Sequence, residues 1–443
     1  MEGNQAKFLM CFSVYTNGAR ILDTTPGKGQ LNCLHGIRFL TMSWVILGHT
    51  YRFSMQVVGN ALEAAKDKDS FAFTAVSNFS FSVDSFFLLS GLLLAYLFFK
   101  DSVGNRKSVS YWVHFYIHRI WRLTPVYMMV LAFDAVLWKH LSSGPFWSED
   151  GYDGEKCKNN WWYNLLYINN FNKQGEQCLG PTWYLANDMQ MYLVSPIFLV
   201  SIFYQPVLGV ILTCAAILSS STITGVLSIK HGFVASPPRG GESGPNEKLQ
   251  LAALAEAYFN TIYQTPWCRI GAYLVGILLG YVLYRLGQKK NFLNKWLVLL
   301  GWLLATGICM SILYGMYHAN PGVKVSAFYF SVSRTMWAVG LAWLIFACVT
   351  GHGGFINTIL SWGFWIPLSR LSYCAYLIHP LIMFWYFQSR NSLLHFSHQT
   401  LVSCFTAFLV WSYGIALMVS LAFEVPMMGL EKLILKRGSR QTR

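Results

Sequence analysis

Ten stretches of close to twenty residues run through this chain with almost no charge, at about 39–57, 79–99, 123–141, 183–203, 207–228, 268–286, 296–316, 326–349, 371–388 and 400–423. An apolar run of that length matches a helix crossing roughly 30 Å of hydrocarbon, and few other folds tolerate so many of them. Lipid offers the backbone no hydrogen-bond partners, so each run must satisfy its own amides as a helix. The sequence therefore predicts an all-α polytopic membrane protein, about ten transmembrane helices in one bundle. Composition agrees: 54% of residues are hydrophobic and 12% are charged, with a mean hydropathy of +0.39. The expected division is a cytoplasmic segment 1–38, a transmembrane domain 39–428 and a basic tail 429–443. The run "FLMCF" (8–12) is too short for the core of a cleavable signal peptide, so the first span is expected to act as signal anchor. No internal repeat of the kind common in transporters is visible.

The net charge of +14 sits at the edges of the apolar runs, and this arrangement argues for positive-inside topology and against nucleic-acid binding. Lys7, Arg20, Lys28 and Arg38 precede the first span. Lys100, Arg106, Lys107, Arg119 and Arg122 lie between the second and third. Arg285, Lys289, Lys290 and Lys295 follow the sixth, and Lys432, Lys436, Arg437, Arg440 and Arg443 close the chain. Glu149, Asp150, Asp153, Glu155 and Glu176 balance the lysines of the alternate loop. Both termini are expected in the cytoplasm, with the protein in the endoplasmic reticulum or the plasma membrane. The ten cysteines include no C-x-x-C pair and no metal-ligand spacing, so no metal is expected. Cys157 and Cys178 share one exocytoplasmic loop, where a disulfide persists; two free thiols are the alternative. The loop 229–267 contains "SPPRGGESGPNEK" (236–248), expected to be irregular, followed by an amphipathic helix at 248–260.

Several polar residues interrupt the spans, and intramembrane ionisable groups generally face a cavity or one another. In "GIRFLTMSWVILGHTY" (36–51), His49 stands eleven residues after Arg38. At 1.5 Å of rise per residue, His49 lies roughly 15 Å deep and His379, in "YCAYLIHPLI" (373–382), roughly 13 Å deep from the same side. His49 reads either as a catalytic base or as a hydrogen-bonded core histidine. For His379, the following Pro380 suggests a kink whose freed carbonyl the imidazole could satisfy. Candidate carboxylate partners are Asp84 in "FSVDSFFLLSGLLLAY" (81–96) and Asp188 in "GPTWYLANDMQMYLVSP" (180–196), either of which could fix an imidazole tautomer. Their alternative role is a buried ion pair with Arg334, which with His379 is also a candidate for lining the cavity. "HRIWRLTP" (118–125) places Arg119 and Arg122 three apart at the cytoplasmic end of the third span, level with Arg38. Guanidinium forks bind phosphate bidentately, so the three could hold a phosphorylated cytosolic ligand or serve only as topology anchors.

The spacing of Arg38 and His49, the R-x-x-R of Arg119 and Arg122, and the runs "VDSFFLLSG" (83–91), "WYLANDMQMY" (183–192) and "LSYCAYLIHPL" (371–381) together resemble the membrane acyltransferase-3 superfamily. They look most like its animal branch, the nose resistant to fluoxetine proteins, over about residues 8–435. The resemblance implies ten core helices and acyl transfer from a cytosolic donor, usually acyl-CoA, to an acceptor across the membrane. It implies His49 as the catalytic residue, with Arg38, Arg119 and Arg122 as motif partners; in an enzyme reading of the residues, Asp84 or Asp188 would orient the imidazole while the arginines hold the phosphates of the donor. Many animal members carry a Cys-rich extracellular domain before this region; none is expected here, which leaves the acceptor open. The expected co-substrate is acyl-CoA, with no tightly bound cofactor; membrane lipids are the other expected partners, and nucleic acid is not one. A competing reading is a lipid or small-molecule transporter that keeps the fold without the chemistry.

Overall fold

The computed structural model describes residues 2–27, 29, 31–67, 70–101, 108–148, 153–236, 245–287 and 289–441. Lys28, Arg106, Lys107, Glu149, Asp150, Arg443 and most of the Pro/Gly-rich run after 236 lie outside them, as do the side chains of Lys436, Arg437 and Arg440. Ten long helices fall where the ten apolar runs predict them. They are α1 (Cys33–Ser54), α2 (Phe81–Lys100), α3 (Val109–Ala132), α4 (Trp183–Tyr204), α5 (Pro206–His231), α6 (Pro266–Leu286), α7 (Lys295–Tyr314), α8 (Val323–Val349), α9 (Trp365–Gln388) and α10 (His398–Val419).

Among the described residues, eight helices are long and apolar enough to cross a membrane. The other two long ones, α1 and α9, have the length at 22 and 24 residues. Their hydropathy is diluted by Arg38, His49 and Arg52 in α1, and by Arg370, His379 and two prolines in α9. These are the two helices that carry the deep histidines.

Two boundaries differ from the apolar runs. Helix α3 starts at Val109, capped by Ser108 Oγ accepting from Ser110 N at 3.2 Å, and continues through a π-helical turn at Phe133–Leu137. Arg119 and Arg122 therefore stand inside a helix, not at its end. Hydropathy stops at the first charged cluster, whereas a capped helix does not. Helix α10 likewise passes through a π turn at Ser420–Glu424 into Val425–Gln441, so the basic tail is helical to residue 441. A helix is present near the expected 248–260, at Pro245–Tyr258, but its apolar residues are spread around it and do not form the expected amphipathic face.

The chain gathers into two compact units. Residues 1–60, 102–161 and 359–443 form the first, which holds α1, α3, α9 and α10; residues 61–101 and 162–358 form the second, with α2 and α4–α8.

In the first unit α1 and α9 are fastened at both ends. At one end Gly36 lies against the backbone of Leu360, where an added Cβ would fall 2.5 Å from Leu360 O, and Phe39 stacks on Trp365 with centroids 4.9 Å apart. At the other end Leu394 N donates to Val57 O at 2.7 Å and Gly59 N to Leu394 O at 2.9 Å, a short parallel bridge. Asn60 adds a two-way clasp on the backbone of Phe396. Helix α3 joins through Tyr373, whose hydroxyl donates to Leu123 O at 2.7 Å.

The second unit is centred on α2 against α6. Gly276 and Gly280 form a small-xxx-small pair on α6 that meets α2 at Gly91, close enough for backbone to touch backbone. Ser220 Oγ donates to Trp267 O at 2.6 Å and ties α5 to the start of α6, and Ser331 Oγ donates to Ser221 O at 2.7 Å and ties α8 to α5. Buried carboxamides close one end, where Asn170 Nδ2 donates to Asn187 Oδ1 at 3.0 Å and Asn187 Nδ2 to Gln264 O at 2.9 Å. Cys157 and Cys178 are disulfide-bonded, the pairing the sequence leads one to expect, and the other eight cysteines are not part of a disulfide.

Candidate active site

Helix α1 buries one stripe, with Met42 and Ile46 fully enclosed and Phe53 at 7% exposure. The spacing 42, 46, 49, 53 places His49 on that stripe. Its ring stacks on Phe53, centroids 4.7 Å apart and 11° between planes, and Phe53 in turn meets Phe384 of α9 at 4.4 Å. Helix α9 brings His379, fully buried, so that His49 Nδ1 and His379 Nε2 are 2.8 Å apart. The depth match read from the sequence thus becomes a direct hydrogen bond.

Pro380 explains the other side of His379. Lacking an N–H, it leaves the carbonyl four residues back, Tyr376 O, without its helical donor. His379 Nδ1 lies 2.8 Å from that oxygen and 3.2 Å from Ala375 O. Carbonyl oxygens only accept, so Nδ1 of His379 carries a proton. In the neutral pair Nε2 of His379 must then be the acceptor, His49 Nδ1 the donor, and His49 Nε2 the basic nitrogen.

Arg38 sits half-buried on the same helix as His49. Eleven residues make about three turns, so the two side chains leave α1 on nearly the same face, roughly 16 Å apart along the axis. Arg119 is half-buried and Arg122 exposed on α3, in the same unit. The sequence reading overlooked Arg370, in the first turns of α9, whose Nη1 donates to Arg20 O, Ile21 O and Asp23 O at 2.6, 3.0 and 2.7 Å. Arg370 thereby caps the short helix Val14–Leu22, and its charge and that of Arg38 both act on His35. An arginine immediately before an apolar run was the available signal.

The expectation of Asp84 or Asp188 beside His49 does not include the residue that bonds its Nδ1. His379 is a group that holds the imidazole. Asp84 is committed within the second unit: Arg269 Nη1 donates to its Oδ2 at 2.8 Å, and both side chains are sealed from solvent. Arg269 is further held by Tyr263 O at 2.8 Å and lies over the rings of Tyr263 and Trp183, 4.5 and 5.3 Å from their centroids. The partner expected for this carboxylate, Arg334, instead donates to Ile262 O, Cys268 O and Tyr258 Oη. Asp188 is buried on α4 of the second unit. Arg269 was missed because nothing in "TPWCRIGAY" (265–273) links it to a residue some 185 positions earlier.

The family profile described as an acyltransferase domain matches residues 31–423. Nose resistant to fluoxetine protein 6 of Caenorhabditis elegans is 34% identical over 97% of this chain and 54% of its own length. Regulator of hypoxia-inducible factor 1 of the same organism is 25% identical over 61% of the chain and 54% of its own length. A Staphylococcus aureus (strain COL) protein, named as a candidate O-acetyltransferase, is 31% identical over 27% of the chain and 20% of its own length. The chain thus spans about half the length of the two Caenorhabditis elegans relatives. No solved structure matches it.

Proposed function

Because the chain belongs to the acyltransferase-3 family, we propose that it moves an acyl group from cytosolic acyl-CoA to a hydroxyl-bearing acceptor in or across the membrane. The observation that carries this reading is the alignment of Arg38 and His49 on one face of α1. A guanidinium and an imidazole separated by roughly 16 Å suit a donor whose phosphates stay near the cytosol while its pantetheine arm carries the thioester to the histidine. Arg119 and Arg122 add bidentate phosphate donors. The O-acetyltransferase name of the bacterial relative supports oxygen as the acceptor atom.

In this reaction His49 Nε2 removes the proton from the acceptor hydroxyl as the oxygen attacks the thioester carbonyl. The tetrahedral intermediate collapses by breaking the C–S bond. The CoA thiolate leaves and recovers the proton from His49, which gives an ester and free CoA thiol. The alternating basic loops support cytoplasmic termini on both ends, with the protein resident in the endoplasmic reticulum or plasma membrane.

The test is thiol release and ester formation from labelled acetyl-CoA and palmitoyl-CoA, by purified protein reconstituted in total membrane lipid. Transfer that disappears in His49→Ala supports the reading. Release no faster than in His49→Ala, from a protein that still moves lipid between leaflets, would favour the transporter. A cysteine placed at position 440 should label only after permeabilisation, and labelling from outside intact cells would reverse the topology.

A further inference from the structure

The acyl-transfer reading uses His49 and leaves His379 without a task, although His379 is the more deeply enclosed of the two and is held on both ring nitrogens. An imidazole in apolar surroundings is free to choose between two neutral tautomers, and only one of them aims a basic nitrogen at a given point. What selects the tautomer of His49 can be traced backwards through three residues of known geometry.

The trace begins at Pro380. Its ring removes the N–H that would have bonded Tyr376 O, and lipid offers such a carbonyl no substitute partner. His379 Nδ1–H satisfies that oxygen at 2.8 Å. The bond fixes both the rotation of the His379 ring and its protonated nitrogen, which leaves Nε2 as a lone pair. That lone pair lies 2.8 Å from His49 Nδ1 and can only be satisfied by a proton there. The rings of His49 and His379 are nearly parallel, 11° apart, and Phe53 stacks on His49 at the same angle, so rotation of His49 is restricted as well.

We propose that His379 is a positioning residue, which holds His49 in the tautomer protonated on Nδ1 so that Nε2 is the nitrogen presented to the acceptor. This rests on the reading of His49 as general base. It assigns Pro380 a part too, as the residue that sets the tautomer of His379. When His49 Nε2 takes the acceptor proton, the positive charge is shared along the Nδ1–H···Nε2 bond, as a carboxylate would share it in a more familiar arrangement. The proton is returned to the thiolate, and the pair ends as it began.

The first measurement needs no substitution. With ¹⁵N-histidine labelling of the whole protein in lipid nanodiscs, and His49 assigned by its loss in His49→Gln, the His49 signals should show a protonated Nδ1 and an unprotonated Nε2. A resting His49 protonated on Nε2 alone would overturn the proposal. His379→Leu removes the acceptor, and His49 should then redistribute toward the Nε2-protonated form. Its kcat should fall on the order of 10–100-fold, the usual effect of losing an orienting partner, with acyl-CoA affinity unchanged. His379→Gln keeps an acceptor oxygen for His49 Nδ1–H, and should restore both the spectrum and most of the activity. Equal behaviour of the Leu and Gln variants, or wild-type kcat in both, would overturn the positioning role. The two readings fail separately: activity in His49→Ala removes the general base, whereas the tautomer of His49 is read without turnover.

Discussion

Asp84 and Arg269 form an ion pair closed to solvent, with Arg269 Nη1 donating to Asp84 Oδ2 at 2.8 Å and the two side chains 1% and 0% exposed. One oxygen and one nitrogen of the pair, Asp84 Oδ1 and Arg269 Nη2, have no hydrogen-bond partner; the charges depend on each other, on the two flanking rings, and, for Asp84, on the nearby charge of Arg334. Such a pair resists being split far more than it resists being replaced, because a lone buried charge pays its full desolvation cost.

Asp84→Asn should therefore destabilise the protein by about 3–5 kcal/mol, read as a lower melting temperature of the detergent-solubilised protein. Adding Arg269→Met should recover much of that loss, since the guanidinium bonded to Asp84 is then no longer left alone. If Asp84→Asn keeps its melting temperature but loses acyl transfer, Asp84 belongs to the chemistry and the pairing described above is incidental.

The contact of α2 with α6 gives a second prediction. A Cβ added at Gly276 would fall 2.2 Å from Leu88 O, and one at Gly91 would fall 2.1 Å from Tyr273 O. These are backbone atoms and cannot step aside. Gly276→Ala should cost on the order of 1–3 kcal/mol by forcing the helices apart. Gly307→Ala on α7, which meets nothing within 4 Å, should be neutral or raise stability by up to roughly 1 kcal/mol through helix propensity. Equal melting temperatures for the two variants would refute the close packing.

These two sites mark where the sequence was readable. The ten helices were legible because lipid obliges every charge-free run of sufficient length to satisfy its own backbone. His49 and His379 were legible as intruders at matched depth, and Pro380 pointed to the carbonyl that His379 Nδ1 accompanies. The Asp84–Arg269 pair was not legible, because an apolar-run reading assigns no partners, and Arg334 was an equally good candidate. Gly276 and Gly280 stood in plain view as G-x-x-x-G, but that spacing names a tight contact without naming the helix that receives it. The division into two units was hidden for a related reason: residues 61–101 belong with 162–358, and only packing reveals that grouping.

The disulfide of Cys157 and Cys178 closes a loop of about twenty residues, which should contribute roughly 3 kcal/mol by restricting the unfolded chain. The double substitution Cys157→Ser with Cys178→Ser should lower the melting temperature in non-reducing buffer, and dithiothreitol should do the same to the parent protein. Free alkylation of both thiols without reduction would remove the bond from the account.

Arg122 is exposed on α3, one helical turn from the half-buried Arg119. If the two grip a CoA phosphate, Arg122→Lys should weaken acyl-CoA binding although the charge is kept, because an ammonium cannot supply the planar fork. Isothermal titration with a non-hydrolysable acyl-CoA would register the difference. Affinity equal to wild type in both Arg122→Lys and Arg122→Ala would leave these arginines as anchors that set topology.

The last prediction concerns His49 itself. A structural histidine and a general base make different demands at this position. The structural role asks for a side chain that donates from the Nδ1 position to His379 Nε2, 2.8 Å away. Glutamine can offer an amide N–H from a similar reach, so a His49→Gln protein should fold and retain its melting temperature. The chemical role asks for a second nitrogen that takes up and returns a proton, which no amide can do. His49→Gln should therefore lose acyl transfer by roughly 10²-fold or more, as His49→Ala does, while acyl-CoA still binds through the arginines. A well-folded His49→Gln protein with near-normal turnover would place the proton transfer elsewhere, and the alignment of Arg38 with His49 on one face of α1 would then have no catalytic meaning.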